Sequence, residues 1–297
     1  MGKTGNRRRK LSKVEELDQK IDSDRTAPLI PKKVRNITIF EDPALTYPDL
    51  YLAVHVVGNE YDQRSFAEFF CRTKSYRAKS LDEADLVVFS GGPDVDPALY
   101  GAKPHPSTSF DPERDEADIV AFLQCVEQGI PMLGVCRGAQ FGHVMHEGRL
   151  FQHVDQHNRA HSIFCRATKK IIERTSSVHH QMVVPNISGG MEIIATGGAS
   201  TERWVNDKIF DTGPHSDIEA FFYEETMFLG IQGHPEYTGY PRYSQWCADT
   251  IQDFIVLSTH TTYVDNRLLR LKPELLEEQK AKWLGNLESS PESEGEA

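Results

Sequence analysis

Short apolar runs alternate with amphipathic stretches through the middle of this chain. Three runs, Leu86 to Phe89, Met132 to Val135 and Phe228 to Ile231, contain no polar side chain. Continuous apolar runs of this length are typical of strands that are covered on both faces, as in a parallel sheet. The pattern therefore predicts an α/β fold, a doubly wound and mostly parallel sheet with helices on both faces.

Other segments of the chain have apolar residues at the spacing of helices. Aromatic residues recur at helical spacing from Phe66 to Phe70, and the segment from Tyr243 to Leu257 is amphipathic. Asp111 and Pro112 are suited to begin a helix, and Gly129 is suited to end it. A strand, a helix and a strand in this order form a right-handed crossover, which brings both strand ends to one edge of the sheet, where ligands bind.

The two ends of the chain differ from this middle. Residues 1–34 are polar and basic, which predicts a flexible N-terminal arm. Residues 35–262 are predicted to form one domain, with a first strand at Val34 to Phe40 and a second apolar run at Tyr51 to Val57. Residues 263–297 predict a charged helix that gives way to an acidic, disordered tail.

Composition and charge bear on the cellular location of the protein and on its classes of binding partner. The 297 residues are 39% hydrophobic, enough for a sizeable core, and the net charge of -11 argues against broad binding to nucleic acid or anionic membranes. The 5 cysteines are scattered without a CxxC pair, which favours a reducing setting over a disulfide framework. No apolar stretch approaches the roughly 18 residues of a membrane span. We therefore expect a cytoplasmic protein that binds neither membrane nor nucleic acid.

The segment from Pro131 to Gln140 joins an apolar strand to a helix at a cysteine. Cys136 is flanked by Gly134 and Gly138, and glycines permit the sharp turn of a nucleophile elbow. The positive end of the following helix lowers the pKa of a thiol at this position. Taken alone, the segment also fits an ordinary buried cysteine.

A histidine and a carboxylate follow the last of the apolar strands. The strand that begins at Phe228 leads to His234, and Pro235 fixes the turn so that Glu236 can fold back towards the imidazole. Cys136, His234 and Glu236 then have the roles of nucleophile, base and orienting group in a triad.

These motifs, together with several others in the same order, resemble the class I glutamine amidotransferase-like proteins. The narrower resemblance is to the peptidase C26 branch, which includes the γ-glutamyl-γ-aminobutyrate hydrolases, and it covers roughly residues 85–256. The other motifs are Ser90 to Pro97, Leu99 to Gly101, Arg114 with Asp115, Gly148 to Gln152, and Ser177 to Gln181. The resemblance implies a flavodoxin-like fold and a catalytic domain that cleaves a γ-glutamyl amide through a thioester on Cys136.

The resemblance also assigns roles around the triad. The N–H groups of Gly92 and Arg137 would form the oxyanion hole, and Gln140 would contact the substrate. The loop that binds the α-amino and α-carboxyl groups of the glutamyl substrate would consist of Ser177, Val178, His179, His180 and Gln181.

A concentration of histidines offers a zinc cluster as the alternative for this region. The residues concerned are His153, His157, His161, His179 and His180. The resemblance accounts for the last two as part of the substrate loop, so we expect no metal and no cofactor.

Three positions depart from the usual family pattern. Gly233 stands where a tryptophan is frequent, Pro93 replaces a frequent glycine, and Glu147 stands at the first glycine of a Gly-Gly-x-Leu motif. We expect Gly233 and Pro93 to border the leaving group of the substrate.

Three functions are compatible with the resemblance. The favoured one is a stand-alone hydrolase of a small-molecule γ-glutamyl amide, which is either glutamine or a γ-glutamyl amine. The alternative is a glutaminase component that supplies ammonia to a synthetase on a separate chain, and the third is an inactive interaction protein. The presence of Cys136, His234 and Glu236 argues against the third. A homodimer is kept as a candidate assembly.

Overall fold

The computed structural model describes residues 47–198, 200, 202–205, 208–211 and 217–258. The predicted arm at 1–34, the predicted strand from Val34 to Phe40 and the predicted helix and tail at 263–297 lie outside the described residues. The domain boundaries proposed from the sequence therefore remain predictions.

Helices and strands alternate through the first half of the described chain, and strands dominate the second half. The helices are α1 (Glu60–Cys71), α2 (Pro112–Gln128), α3 (Arg137–Met145) and α4 (Pro241–Ser258). The strands are β1 (Ala53–Val57), β2 (Tyr76–Arg77), β3 (Leu86–Phe89), β4 (Met132–Val135), β5 (Leu150–Phe151), β6 (His153–Val154), β7 (His161–Cys165), β8 (Lys170–Thr175), β9 (Met182–Val183), β10 (Met191–Thr196), β11 (Glu202–Val205), β12 (Lys208–Asp211), β13 (Ile218–Tyr223) and β14 (Phe228–Ile231).

A nine-stranded sheet forms the centre of the fold, in the order β2-β1-β3-β4-β14-β13-β10-β7-β8. The first five strands in this order are parallel. When these five are numbered by their sequence, their order across the sheet is 2-1-3-4-5, as in flavodoxin-like proteins. The remaining strands extend the sheet with antiparallel pairs. The structure thus has the α/β fold that the apolar runs predicted, with an antiparallel half that they did not specify.

The two faces of this sheet carry separate cores. In β3, Leu86 and Val88 belong to the cluster that includes α1 and α4, whereas Val87 and Phe89 belong to the cluster that includes α2 and α3. All four side chains are fully buried, because successive residues of a strand point to opposite faces and both faces are covered. The sheet is therefore doubly wound, as predicted.

The predicted signals at the ends of α2 are observed. The Asp111 side chain accepts a hydrogen bond from the Arg114 N–H, Pro112 is the first residue of the helix, and Gly129 ends it with a φ of 76°. This helix connects β3 to β4, so the C-terminal ends of both strands reach the same edge of the sheet. No described helix has the length and apolar character needed to cross a membrane.

Candidate active site

Cys136 lies on a strained turn between β4 and α3. Its φ of 54° and ψ of -111° are unusual for a residue with a side chain, and it is the N-cap of α3. The Cys136 N–H donates to the Ile231 carbonyl at 2.9 Å, which ties the turn to the neighbouring strand β14. The strand-turn-helix geometry of a nucleophile elbow is therefore present, and it leaves the cysteine 8% exposed.

His234 and Glu236 meet just beyond the end of β14. The Nδ1 atom of His234 lies 2.7 Å from Oε1 of Glu236. The backbone of His234 is fixed by Ser176, whose hydroxyl oxygen accepts from the His234 N–H at 2.6 Å and whose hydroxyl donates to the His234 carbonyl at 3.2 Å. These contacts hold the imidazole and leave Nε2 for another partner.

The partner is Cys136. Burial alone would lower the pKa of His234, but the charge of Cys136 and its hydrogen bond, together with those of Glu236, raise that pKa to about 10. Gly91 sits against both side chains, since a Cβ atom there would lie 2.9 Å from Cε1 of His234 and 3.8 Å from Cβ of Cys136. The three predicted triad residues are therefore brought together, in an arrangement in which the imidazole of His234 keeps its proton.

The predicted oxyanion-hole residues lie beside this triad. Gly92 follows β3 with a φ of +154°, and a Cβ atom on it would lie 3.7 Å from Cδ of Arg137. Arg137 is the first residue of α3, where helix N–H groups lack an intrahelical partner. Within the described part of the chain, we find no hydrogen bond donated by the N–H of Gly92 or Arg137.

The predicted substrate loop contacts Gln140 through its last residue. Nε2 of Gln140 donates to the Gln181 carbonyl at 2.9 Å and to Oε1 of Gln232 at 3.3 Å. Ser177 is buried and donates to the His157 carbonyl at 2.9 Å, whereas Val178 is 56% exposed.

The two histidines of the loop have different surroundings. His179 is half-buried, and the loss of water around its ring holds its pKa well below the usual range; its Nδ1 lies 2.9 Å from the Gln181 carbonyl. His180 points away from Gln140, with Nε2 at 3.1 Å from Oδ1 of Asp94, and this contact raises its pKa. Within the predicted loop, Gln181 therefore contacts Gln140, whereas His180 contacts Asp94.

Buried amides without partners lie in this region. Within the described residues, both side-chain polar atoms of Gln181 and Nε2 of Gln232 are buried and have no hydrogen-bond partner. Leaving buried polar atoms unpaired costs free energy, on the order of 1–3 kcal/mol each, so such groups call for a ligand or water. The sequence reasoning missed Gln232, although its position directly after the apolar strand β14 and two residues before His234 was a usable signal.

Gly233 does not border an open space. A Cβ atom on Gly233 would lie 2.5 Å from the Tyr243 hydroxyl and 2.7 Å from the Ser176 carbonyl oxygen. The position where a larger residue would begin is therefore filled by α4 and by the segment after β8. A larger side chain would overlap these atoms, which explains the glycine, and the expectation that Gly233 borders the leaving group stays a prediction.

One histidine group has the spacing of a metal site. The candidate ligand atoms of His157, His161 and Glu219 lie within 4.8 Å of one another. However, Nε2 of His157 is 3.0 Å from Oδ2 of Asp217, its Nδ1 is 3.2 Å from Oγ of Ser177, and Nε2 of His161 is 2.7 Å from Oε1 of Glu219. Hydrogen bonds therefore account for these side chains, which brace the loop that begins at Ser177.

Known proteins are similar to this chain over the region that carries the site. The sequence model of the peptidase C26 family matches residues 70–236, which is more than half of the chain. The match includes the elbow, the substrate loop and the His234 to Glu236 motif.

Individual relatives agree with this match. A Mycobacterium tuberculosis protein named "Putative glutamine amidotransferase Rv2859c" is 37% identical over 175 residues, 52% of this chain and 52% of that protein, so the chain spans about half of its length. A Lactococcus lactis protein named "Putative glutamine amidotransferase-like protein YvdE" is 30% identical over 178 residues, 53% of this chain and 68% of that protein. A Thermotoga maritima glutamine amidotransferase structure aligns with a TM-score of 0.41 at 12% identity, covering 80% of this chain and 98% of that one. This chain belongs to the peptidase C26 family.

Proposed function

We propose that this protein is a cysteine-dependent, glutamine amidotransferase-like hydrolase that cleaves a γ-glutamyl amide through a γ-glutamyl thioester. The observation that carries the proposal is the Cys136, His234 and Glu236 arrangement, in which Cys136 and Glu236 raise the pKa of His234 to about 10. A histidine that keeps its proton next to a thiol favours the thiolate, which is the nucleophilic form of cysteine.

The reaction begins with attack of the Cys136 sulfur on the amide carbonyl carbon. The carbonyl oxygen becomes an oxyanion, which accepts hydrogen bonds from the N–H groups of Gly92 and Arg137. His234 gives its proton to the leaving nitrogen, the C–N bond breaks, and an amine or ammonia departs. His234 then takes a proton from water, which attacks the thioester carbonyl, so that the C–S bond breaks and the γ-carboxylate is released.

The part of the site that would hold the glutamyl group, the acyl side of the scissile bond, is polar and buried. Gln140, Gln181 and Gln232 are each at most 3% exposed, and the last two carry buried amide atoms without partners in the described chain. These atoms are suited to receive the α-amino and α-carboxyl groups of a glutamyl substrate. A site built for such groups rejects analogues that lack them by a factor on the order of 10⁴, because its own polar atoms remain unpaired.

Specificity constants test this proposal. We expect γ-glutamyl-methylamide, γ-glutamyl-aminobutyrate and glutamine to be turned over within a few orders of magnitude of one another, and N-butyryl-aminobutyrate not measurably. The Cys136→Ala variant is the control for contaminating hydrolases. Comparable rates for γ-glutamyl-aminobutyrate and N-butyryl-aminobutyrate would contradict the assignment of a glutamyl substrate. Release of ammonia from glutamine only after addition of cell extract would instead favour the glutaminase component.

A further inference from the structure

The motif at Arg114 and Asp115 belongs to a buried cluster of charges behind the elbow. The guanidinium of Arg137 bonds to Asp118 through one terminal nitrogen and to Asp115 through the other. Arg137 is 1% exposed and both carboxylates are 0% exposed. Nε of Arg114 bonds to the second oxygen of Asp118 at 2.9 Å, so that two positive and two negative groups balance one another.

This cluster holds both ends of the loop that follows β3. At the first end, the Arg114 guanidinium donates to the Ser90 hydroxyl at 3.1 Å. At the other end, Oδ2 of Asp115 accepts from the Asp96 N–H at 3.0 Å. Gly92 lies between these two anchors, and a Cβ atom on it would lie 4.0 Å from NH1 of Arg114.

The same cluster holds the other half of the oxyanion hole. The backbone N–H of Arg137 is one of the two donors in the proposed mechanism, and its side chain bonds to both carboxylates. The second donor, the N–H of Gly92, belongs to the loop that these carboxylates anchor. Two donors on separate segments must converge on one oxygen at about 2.7–3.1 Å, so their relative position determines how well they stabilise an oxyanion.

We propose that Asp115 and Asp118 are positioning residues of the oxyanion hole, which lock the Gly92 loop to the elbow through the side chain of Arg137. Neither carboxylate touches substrate in this arrangement, and each acts through Arg137 and the loop. The inference rests on the proposed function in taking Cys136 as the nucleophile and the N–H groups of Gly92 and Arg137 as the oxyanion donors.

Two reactions of Cys136 separate oxyanion stabilisation from thiol reactivity. In acylation by 4-nitrophenyl acetate, the sulfur attacks the ester carbonyl, an oxyanion forms, and the C–O bond breaks to release nitrophenolate. In alkylation by iodoacetamide, the sulfur displaces iodide from a saturated carbon and no oxyanion forms. Neither reagent carries a glutamyl group, so both rates can be measured whether or not γ-glutamyl amides are substrates.

The full chain is compared with Asp118→Asn, Asp118→Glu and Ser90→Ala. We expect Asp118→Asn to slow acylation about 10- to 100-fold, a part of the loss caused by removal of one oxyanion donor. Alkylation should stay within about threefold of the unmodified chain, because the thiol and His234 are untouched. Asp118→Glu should restore part of the acylation rate. Ser90→Ala removes the hydroxyl that Arg114 bonds, together with its hydrogen bond to Asp62, but leaves the Asp115 anchor, so it should slow acylation less than Asp118→Asn does.

Asp85→Asn is the matched control for a lost hydrogen bond. Its carboxylate accepts from the Ala53 N–H at 2.8 Å just before β3, at the edge of the sheet opposite the site. We expect this variant to leave both rates unchanged.

The inference is overturned if folded Asp118→Asn acylates as fast as the unmodified chain, or if acylation and alkylation fall by the same factor. If Asp118→Asn does not fold, Ser90→Ala decides, and an unchanged acylation rate in that variant overturns the inference. A chain that nitrophenyl acetate acylates normally but that cleaves no γ-glutamyl amide would instead contradict the proposed function and leave the positioning role standing.

Discussion

The imidazole of His234 lies flat against the ring of Tyr237, with centroids 4.4 Å apart and planes inclined by 7°. Glu236 holds the Nδ1 atom of the same imidazole at 2.7 Å. The stack fixes the plane of the ring and the carboxylate fixes its rotation within that plane, so that Nε2 has one direction in which to point. Tyr237 therefore orients the proposed base from the side that Glu236 leaves open.

Removal of the stack should slow turnover without changing the chemistry. We expect Tyr237→Ala to lower kcat by roughly 2- to 10-fold, which corresponds to the energy of one aromatic contact. Tyr237→Phe keeps the ring and should retain nearly full activity. Steady-state kinetics on a γ-glutamyl amide would check both variants. A loss of activity in Tyr237→Phe equal to that in Tyr237→Ala would mean that the hydroxyl, rather than the stack, matters.

The triad assignment predicts an order of severity among variants. Cys136→Ala and His234→Ala should each remove almost all turnover, whereas Glu236→Ala should leave partial activity, because an orienting group is less essential than the nucleophile or the base. His180→Ala is the control, since that imidazole pairs with Asp94. If His180→Ala lowered kcat at saturating substrate as much as His234→Ala does, the base would be misassigned.

Cys136 should be the fastest of the described cysteines to react with a brief dose of iodoacetamide at neutral pH. Burial raises the pKa of Cys125 to about 12 and that of Cys247 well above its usual range, so both thiols stay protonated. Cys71 is exposed but lacks a histidine partner among the contacts of the described chain. Mass spectrometry of the labelled peptides measures the order, and faster labelling of Cys71 than of Cys136 would contradict the thiolate assignment.

The sequence could predict the parts of this fold that depend on short segments. The apolar runs, the cap at Asp111, the stop at Gly129 and the glycines around Cys136 each act within a few residues, and the structure has the helices, strands and turn that they predicted. The antiparallel half of the sheet is different. Its hairpins β7–β8 and β13–β14 are local, but β10 joins them through pairs with strands far away in the sequence, and the apolar pattern does not fix that order.

The missed parts of the site depend on contacts between distant segments. Asp118 carries no signal of its own in the sequence, because its partner Arg137 lies on another helix, α3. The close packing of the Tyr243 hydroxyl against Gly233 likewise depends on a distant segment, because Tyr243 comes from α4. Tertiary contacts of this kind leave no periodic signal in a single sequence.

Gly138 should be intolerant of a side chain. A Cβ atom there would overlap the carbonyl group of Phe89, which is backbone of the central strand β3 and cannot rotate away. We expect Gly138→Ala to lower the free energy of unfolding by about 1–3 kcal/mol, the usual cost of overpacking, or to prevent folding. Gly239→Ala is the matched control, because nothing lies within 4 Å of a Cβ atom at that position. Urea unfolding of both variants tests this, and equal midpoints would contradict the close approach of α3 to β3.

Two histidines, the buried His143 and the half-buried His146, should make the fold sensitive to acid. Burial lowers the pKa of His143 to about 3 and that of His146 to about 4, below the ordinary value of 6.5. In the folded state both imidazoles use their nitrogens for hydrogen bonds, and His146 also stacks on Tyr223 at 3.8 Å between centroids. A proton on either ring would place a positive charge where little water can solvate it, and this loss of hydration is the main cause of the lowered pKa values.

The sign of the effect follows from proton binding in the two states. Below pH 6.5 the unfolded chain protonates both histidines while the folded chain does not, so the free energy of unfolding falls as pH falls, by up to about 1.4 kcal/mol per pH unit for each site. Buried acids act in the opposite direction: burial raises the pKa of Asp115 to about 6, and the folded chain then gains stability as that carboxyl takes up its proton. The pH dependence of the whole chain's free energy of unfolding is therefore a sum over these groups. Only the difference in that dependence between the unmodified chain and a variant isolates the contribution of one histidine.

His146→Asn removes one of the two sites and keeps a polar side chain near Thr226. We expect it to be less stable than the unmodified chain at neutral pH, because it loses the stack on Tyr223, but to lose stability more slowly on acidification. Urea unfolding between about pH 7 and about pH 5 gives both slopes, and their difference should grow as the pH falls and approach that of one proton per molecule near pH 5. Parallel slopes for the two chains would mean that His146 takes up a proton in the folded state as readily as in the unfolded state, and that its burial does not exclude the charge.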